Sequence, residues 1–406
     1  MDEKLKIALA YSGGLDTSTI VPWLIENYDC EVYAILVNIG QDEDIDDAIA
    51  RALQYGAKGA YAIDAVDEFA DEYLLPMLKS GAVYENKYLL GTSVARPLIA
   101  KRLIMKAKEL GCTAISHGAT GKGNDQVRFE LTTMALAPEM KIIAPWREWS
   151  IRSRDDALAY LEGKGIHLQV AAEETYSRDA NLWHLSHEGL ELESPANAPE
   201  YTPKLLKLTS LLEETPDEAE EISIDFEQGK PVALNGESLS FADMIRALNK
   251  IGGKHGIGIV DLVENRVVGM KSRGVYETPG GTILVYAHND LEELCLDKES
   301  SLFKRYVALK YAEVVYQGKW FLPLKTALDS FIDETQKTVT GNVKLRLYKG
   351  NIISAGKTSP YTLYSEEIAS FTTGSLYDHH DAEGFIKLYG LPLKMHAAVR
   401  EIQKSE

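Results

Sequence analysis

The feature that most constrains the fold of this chain is a short glycine-containing segment near its start, residues 12–18, with the sequence SGGLDTS. It follows an apolar run, residues 6–11, and precedes a stretch with helical spacing, residues 17–27. Glycine allows the backbone to turn tightly and to approach a ligand closely. The N–H groups at the start of a helix carry partial positive charge and bind anions. The order strand, loop, helix therefore predicts an α/β fold with a phosphate site at the edge of a parallel sheet.

The alternation of apolar strands with helical patterns continues to about residue 165. Short apolar runs separated by helices predict a doubly wound parallel sheet that is buried on both faces. The predicted strands are residues 6–11, 32–38, 59–63, 113–117 and 141–144, and the main predicted helices are residues 17–27, 44–55, 95–110 and 125–136.

From about Glu173 the pattern changes to glycine-containing turns and β-branched runs with fewer long helices. We predict an α+β second domain from this change. The final apolar-rich segment, residues 385–402, predicts a C-terminal helical arm, with a break near Gly390 and Pro392 and a last helix from about Leu393. The predicted domains are residues 1–168 for nucleotide binding, 169–364 for substrate binding and 365–406 for the arm. The predicted turns lie at 235–236, 252–253 and 280–281, and the predicted β-branched runs at 257–263, 282–285 and 343–348.

Composition limits the partners of the chain. Its 406 residues carry a formal net charge of −18, and because nucleic-acid binding requires a basic surface we expect no such partner. No run of about 18 apolar residues occurs, and the first 14 residues lack the basic region of a signal peptide, so we expect no membrane segment. Three widely spaced cysteines, Cys30, Cys112 and Cys295, are typical of a cytoplasmic protein. Because the chain is acidic overall, any anion site must be formed by backbone N–H groups and a few Arg or Lys side chains.

The loop at residues 12–18 differs from the common nucleotide motifs. It fits neither GxxxxGK[ST] nor GxGxxG. A string near the other end, residues 350–358, has one residue too many between its glycines, and we interpret it as a hairpin turn and loop. Hydroxyl groups within 12–18 can donate to phosphate oxygens, whereas the simpler interpretation is a glycine turn with Asp16 or Thr17 as helix N-cap. A γ-phosphoryl-transfer enzyme is disfavoured.

A second polar, glycine-rich segment follows the fourth predicted strand, residues 117–128, with the sequence HGATGKGNDQVR. If the first strand is central and the fourth lies beside it, both loops open into one crevice. The alternative is a surface loop with Asn124 or Asp125 as cap. A third segment, residues 88–97 (YLLGTSVARP), is ambiguous, because Thr92 or Ser93 could cap a helix and Arg96 could pair with a surface carboxylate.

These segments carry a family resemblance. SGGLDTS resembles the pyrophosphate-binding loop of the N-type ATP pyrophosphatases, whose common form is SGGxDS. The form with an extra Thr, together with YLLGTSVARP, HGATGKGNDQVRFE, YSRDANLWHLS and VENRVVGMKSRGVYETPGG in this order, resembles the argininosuccinate synthase family over nearly the whole chain.

The resemblance implies that citrulline, aspartate and ATP give argininosuccinate, AMP and pyrophosphate, with Mg²⁺ bridging phosphate oxygens and no protein metal cluster. It implies a homotetramer linked by the C-terminal arm. The ATP site it implies comprises Ala10, Tyr11, Ser12, Gly13, Gly14, Leu15, Asp16, Thr17, Ser18, Val37 and Gly118. The implied citrulline contacts are Tyr88, Ser93, Asn124, Arg128, Ser177, Ser186, Glu264 and Tyr276, and the implied aspartate contacts are Thr120, Asn124 and Asp125.

Within this set we assign catalytic roles to Asp16 and Asp125, and Arg96 is a further candidate for a substrate carboxylate. The chemistry is consistent with these residue types. A ureido oxygen is a poor leaving group, so citrulline is first adenylated, pyrophosphate departs into the loop at 12–18, and the aspartate amine then displaces AMP. Positioning and electrostatics carry most of the barrier reduction.

Several alternatives remain from the residues alone. Ser177 and Ser186 could cap helices, and Glu264 and Tyr276 could lie on a sheet surface. His184 and His187 have helical metal-site spacing but no nearby third ligand, so we expect a surface or interface role. The competing functions are an amidotransferase or tRNA thiolase on the same loop, and a nucleotide sensor without catalysis. This chain lacks the cysteines and the basic face that an amidotransferase or tRNA thiolase requires. A nucleotide sensor without catalysis would not explain the polar residues after 176.

Overall fold

The computed structural model describes residues 4–41, 44–166, 176–369 and 378–405. The chain divides into two compact units, Met1–Tyr361 and Thr362–Glu406. The predicted change of character near Glu173 and the predicted boundary at 168/169 lie outside the described residues, and the division into three domains stays a prediction. Among the described helices, none is long and apolar enough to cross a membrane.

The first part of the larger unit contains a five-stranded sheet in which every pair is parallel. Its strands are β1 Leu5–Ala10, β2 Cys30–Asn38, β3 Gly59–Asp64, β4 Ala114–His117 and β5 Lys141–Ile143. The order β3-β2-β1-β4-β5 makes β1 central and places β4 directly beside it. The predicted doubly wound sheet and its switch point are therefore confirmed, because the connections leave β1 in opposite directions.

Helices cover both faces of this sheet. They are α1 Leu15–Tyr28, α2 Ile45–Gln54, α3 Val66–Glu68, α4 Leu75–Ser80, α5 Gly91–Glu109, α6 Asp125–Leu136 and α7 Arg154–Gly163, with a π-helical segment Phe69–Leu74 between α3 and α4. Alternate residues of β1 enter two separate cores. Ile7 and Leu9 pack with residues of α1 and α2, whereas Ala8 and Ala10 pack with residues of α5. The period of two along a strand gives the sheet two buried faces.

The part after residue 176 is built on two antiparallel sheets. Its strands are β6 Ser177–Ala180, β7 Leu185–Glu188, β8 Glu220–Glu227, β9 Lys230–Leu234, β10 Glu237–Ser238, β11 Ile259–Asn265, β12 Lys271–Glu277, β13 Gly341–Tyr348 and β14 Asn351–Thr358. One sheet has the order β10-β9-β8-β13-β14 and the other the order β11-β12-β7-β6. The predicted α+β class is confirmed. Residues 351–358, predicted to be a loop after the hairpin turn, instead form β14.

The expectation of few long helices in this part is wrong. Helices α8 Phe241–Lys254, α9 Pro279–Cys295, α10 Lys298–Tyr316 and α11 Pro323–Gln336 have 14, 17, 19 and 14 residues. Residues 282–285, predicted as a β-branched strand, lie inside α9. Gly280 and Gly281, which were predicted to form a turn, lie instead in the first turn of α9. A Cβ on Gly280 would lie 2.7 Å from Asn249 Oδ1, and one on Gly281 would lie 2.7 Å from Trp183. These glycines permit close packing.

The smaller unit contains α12 Glu366–Ala369, α13 His379–Tyr389 and α14 Leu391–Ser405. The predicted break between two C-terminal helices is confirmed, with Gly390 as the C-cap of α13. The last helix begins two residues earlier than predicted, since Pro392 is tolerated in a first turn. Its large apolar side chains and those of α13 are exposed: Phe385, Ile386, Leu388, Tyr389, Leu391, Leu393, Met395, Val399 and Ile402.

Candidate active site

A cavity of about 510 Å³ lies at the carboxyl edge of the parallel sheet, bounded by the loops after β1 and β4, the start of α5, and the sheet β11-β12-β7-β6. Both halves of the chain contribute residues to its lining. Most predicted site residues line it: Ala10, Tyr11, Ser12, Gly14, Asp16, Thr17, Val37, Tyr88, Gly118, Thr120, Asn124, Asp125, Arg128, Ser177, Ser186, Glu264 and Tyr276.

The loop after β1 is shaped by its own backbone. Gly13 has φ +75°, and an added Cβ would lie 2.9 Å from the Ala48 Cβ of α2, so only glycine fits there. The Ser12 and Thr17 hydroxyl groups lie 3.1 Å apart, which closes the loop across five residues. Gly14 is the N-cap of helix α1, and no side chain caps this helix. The N-cap role considered for Asp16 or Thr17 is therefore wrong, and the start of α1 faces the cavity uncapped, as an anion site requires.

Four predicted site residues are absent from the cavity wall. Gly13 packs against α2, and Leu15 lies in the first turn of α1. Ser18 is fully buried, with its hydroxyl 3.1 Å from the Tyr11 phenol oxygen. Ser93 is fully buried in α5. None of these four residues lines the cavity, and their predicted direct contacts with substrate stay predictions.

An alternating set of charges lines the wall formed by α5, α6 and β6. Arg96 Nε donates to Asp125 Oδ2 at 2.8 Å, and its Nη2 lies 2.9 Å from Asp179 Oδ1. Arg128 Nη1 donates to the other oxygen of Asp125 at 2.9 Å. Burial would raise the pKa of Asp125, but Arg96 and Arg128 outweigh it and lower that pKa. Arg96 thus pairs inside the cavity, and Asp125 is held ionised between two cations.

A buried histidine supports this charged set. His184 Nε2 lies 3.0 Å from Thr92 Oγ1, which donates to Asp179 Oδ2 at 2.7 Å. Burial lowers the pKa of His184 to about 4, so the ring is neutral at pH 7. The surface or interface role expected for His184 and His187 is wrong, since both side chains are buried within the single chain. The described residues contain no group of three or more His, Cys, Asp or Glu side chains placed to hold a metal.

A second group of side chains at the cavity comprises a buried carboxylate on β11 with phenol donors from β12 and the end of α10. Tyr276 donates to Glu264 Oε1 at 3.2 Å, and Tyr316 donates to Glu264 Oε2 at 2.9 Å. Burial raises the pKa of Glu264, although the hydrogen bond from Tyr316 and the charge of Arg128 oppose the rise. Burial also raises the pKa of the neighbouring Tyr88 to about 12, so this phenol stays protonated. Glu264 and Tyr276 are thus buried site residues and not members of an exposed sheet face.

Ser177 and Ser186 lie on the neighbouring strands β6 and β7, so neither caps a helix. Asp179, which the sequence reasoning missed, faces the same cavity two residues after Ser177, and Glu188 does so two residues after Ser186. The period of two along a strand could have found both. Arg266 also lines the cavity, and its Nη2 lies 2.7 Å from Glu188 Oε2.

Comparison with known proteins agrees with the geometry. A family model described as the arginosuccinate synthase N-terminal HUP domain matches residues 6–167, and one described as the arginosuccinate synthase C-terminal domain matches residues 176–396. The chain is 58% identical over 401 residues to an argininosuccinate synthase of Brachyspira hyodysenteriae, covering 99% of this chain and 98% of that one. It is 59% identical to the enzyme of that name from Lachnospira eligens, with 97% of each chain covered. The corresponding protein of Carboxydothermus hydrogenoformans is 58% identical, with 98% of each covered.

Proposed function

The chain belongs to the argininosuccinate synthase family, and on that premise we propose that it joins citrulline to aspartate with ATP, forming argininosuccinate, AMP and pyrophosphate. One observation carries this proposal. A single cavity has an uncapped helix start and glycine loop at one side and, at the other, the buried carboxylate of Glu264 and the guanidinium groups of Arg96 and Arg128. The first set suits polyphosphate and the second suits amino acids.

We assign the pyrophosphate end of ATP to residues 12–18. Backbone N–H groups and the Ser12 and Thr17 hydroxyl groups would hold the two departing phosphates, and the partial charge at the start of α1 would stabilise them as the α–β bond breaks. The apolar Val37 and the Gly118 backbone line the adjoining part of the cavity, which suits the nucleoside. Asp16 lies at the cavity side of the loop, and its proposed role is to orient the phosphate end.

Citrulline would present its ureido oxygen to the α-phosphorus of ATP. Glu264, with its phenol donors, suits the α-ammonium group, because a carboxylate in a desolvated wall attracts a cation strongly. Arg128 and the serines Ser177 and Ser186 suit the α-carboxylate. This orientation directs the neutral ureido end towards ATP. Attack of its oxygen gives an adenylate, and no covalent bond to the protein is required.

Aspartate would then bind near Thr120, Asn124 and Asp125, with its amine directed at the activated carbon. The lowered pKa of Asp125 keeps it ionised, so it can accept hydrogen bonds from the aspartate ammonium group and orient it. Arg96 supplies a positive charge for a substrate carboxylate. The amine attacks after losing its proton, and AMP departs with the oxygen that belonged to citrulline.

ATP reactions of this kind use Mg²⁺, and the residues at the loop fit a weakly held ion. The described part of the chain has no three-residue cluster for a metal, so phosphate oxygens and water would supply most ligands, as Mg²⁺ prefers. Asp16 is the acidic side chain of the loop that could add a ligand. When bound, the ion neutralises phosphate charge.

The function is tested by incubating purified protein with ATP, citrulline and aspartate. AMP and argininosuccinate should appear in equal amounts, and omission of either amino acid should abolish argininosuccinate. Positional isotope exchange in labelled ATP should require citrulline but not aspartate, since the adenylate forms first. AMP release without any amino acid dependence would instead indicate a different N-type ATP pyrophosphatase, and tight ATP binding without turnover would indicate a sensor.

We further propose a cytoplasmic homotetramer linked by the C-terminal helices. Free cysteines at Cys30, Cys112 and Cys295 suit a reducing compartment. The apolar side chains of α13 and α14 are exposed in the single chain, and an interface of about 800 Å² per partner would bury them. Deleting residues 382–406 should lower the mass measured by light scattering. A truncated protein that keeps the full-length mass would exclude the arm as the link.

A further inference from the structure

Tyr316 contacts three residues of the proposed citrulline site without lining the cavity itself. Its hydroxyl donates to Glu264 Oε2 at 2.9 Å and accepts from Asn124 Nδ2 at 2.9 Å. Its backbone carbonyl accepts from Arg128 Nε at 3.2 Å and from Arg128 Nη2 at 3.1 Å. A single residue at the end of α10 therefore holds a carboxylate, an amide and a guanidinium group that come from two distant parts of the chain.

The position of Tyr316 is itself fixed by packing. Its ring is stacked on that of Tyr84, with centroids 3.6 Å apart and planes 7° apart, and Tyr88 meets it edge-on. Only 1% of the residue is exposed. Just after the helix, Gly318 has φ +74°, and an added Cβ would lie 2.8 Å from the Arg128 Cα. This close approach keeps the carbonyl end of α10 against α6.

The hydroxyl of Tyr316 also influences the charge of Glu264 and the orientation of the Asn124 amide. Because it donates to Glu264, it stabilises the ionised carboxylate against the effect of burial. Because it accepts from the Asn124 amide nitrogen, it fixes which end of that amide is turned towards it, while Asn124 Oδ1 accepts from the Val267 N–H at 2.8 Å. Both ends of the Asn124 side chain are thereby oriented.

We propose that Tyr316 is a positioning residue for citrulline, acting through Glu264, Asn124 and Arg128. This inference rests on the proposed function, in which Glu264 and Arg128 bind citrulline. Asn124 lies at the aspartate end and, by the family resemblance, contacts citrulline as well. Tyr316 keeps Glu264 charged for the substrate ammonium group and holds Arg128 in place from behind. ATP lies at the other side of the cavity, so its binding is independent of Tyr316.

The test is Tyr316→Phe, which removes the hydroxyl and retains the ring. Loss of a hydrogen bond to a charged group should raise the KM for citrulline about 10- to 100-fold. The KM for ATP should change less than about twofold, because no contact of Tyr316 described above reaches residues 12–18. The acid limb of kcat/KM for citrulline should move to higher pH, since removal of the donor lets the pKa of Glu264 rise further.

Tyr311→Phe is the matched control. Tyr311 lies on the same helix, is fully buried, and donates to Asp329 Oδ1 at 2.9 Å, away from the cavity. It should lose similar stability without changing either KM. Equal effects of the two variants on the citrulline KM, or an unchanged acid limb in Tyr316→Phe, would overturn the proposal.

A double variant tests the route of the effect. Tyr316→Phe should lower the affinity for citrulline much less in the Glu264→Gln protein than in the wild type, because the charged acceptor is already absent. Additive losses would contradict an action through Glu264.

If Tyr316→Phe does not fold, Tyr84→Leu removes the stacked ring, and it must raise the citrulline KM selectively for the inference to stand. If the wild-type protein makes no AMP, the proposed function is wrong. Calorimetry of citrulline binding to Tyr316→Phe and Tyr311→Phe would still test the role of Tyr316 in that case.

Discussion

The two walls of the cavity are built by different means. The phosphate wall is one local loop, residues 12–18, and its hydroxyl contact between Ser12 and Thr17 spans five residues of sequence. The amino-acid wall is made of side chains, and its hydrogen bonds from Asn124 and Arg128 to Tyr316 span 192 and 188 residues. A local turn can bind any polyphosphate. Selecting two amino acids needs groups that only the complete fold brings together.

The largest expected effect lies on the phosphate wall. Gly13→Ala should lower turnover about 100-fold or more, since a positive φ and a 2.9 Å contact with Ala48 must both be relieved by shifting the loop. Gly163→Ala, at the end of α7 where an added Cβ meets nothing within 4 Å, is the control and should leave turnover unchanged. Steady-state rates with ATP varied would check this. Normal turnover of Gly13→Ala would show that the loop is not the pyrophosphate site.

The next largest effect is expected at Asp125, the proposed contact of the aspartate ammonium group. Asp125→Asn should raise the KM for aspartate roughly 10- to 100-fold and that for citrulline much less, because a neutral amide orients an ammonium group poorly. Asp261→Asn is the matched control, since Asp261 also pairs with an arginine, Arg273, at 2.6 Å but lies outside the cavity wall. Equal increases for both substrates would indicate a general distortion and contradict the assignment.

The smallest effect concerns pH and belongs to the amino-acid wall alone. Burial raises the pKa of Glu264, so the carboxylate gains a proton at a higher pH than an ordinary glutamate, whose pKa is about 4.3. As pH falls through this raised value, attraction for the citrulline ammonium group is lost, whereas Asp125, with its lowered pKa, stays charged. The acid limb of kcat/KM for citrulline should therefore lie at a higher pH than an ordinary glutamate would give. In Glu264→Gln that limb should disappear, and an unchanged limb would assign it to another group.

This contrast explains what the sequence could predict. The five parallel strands and the two glycine loops follow from local patterns, because apolar period, glycine and strand ends are encoded within a few residues. The central position of β1 was only a condition of that argument, and the fold supplies it. The resemblance predicted Ser186, Glu264 and Tyr276 as site residues, and all three line the cavity. From the residues alone, Ser186 could have capped a helix, and Glu264 and Tyr276 could have lain on a sheet surface. The hydrogen bonds of Tyr316 to Glu264, Asn124 and Arg128 could not be seen, since Tyr316 ends a helix whose sequence carries no sign of a site.

The errors have a physical cause as well. Residues 280–285, GGTILV, have strand-like composition, and they are helical because glycines let α9 pack closely on α8 and Trp183. Tertiary packing overrides local propensity there. His184 and His187 were expected at a surface or interface because no third metal ligand lies near them in the sequence, whereas the fold places both inside.

The two-faced packing of β1 has a consequence for how this protein can vary. Ile7 and Leu9 serve one core and Ala8 and Ala10 the other, so substitutions that keep size are tolerated on each side. Removal of one residue from the strand is a different event. It would exchange the two faces, bring leucine-sized groups where alanines fit, and turn the loop at 12–18 away from the cavity. Across descendants of such a chain, we expect insertions and deletions to accumulate in the surface connections and to be absent between Leu5 and Ser18.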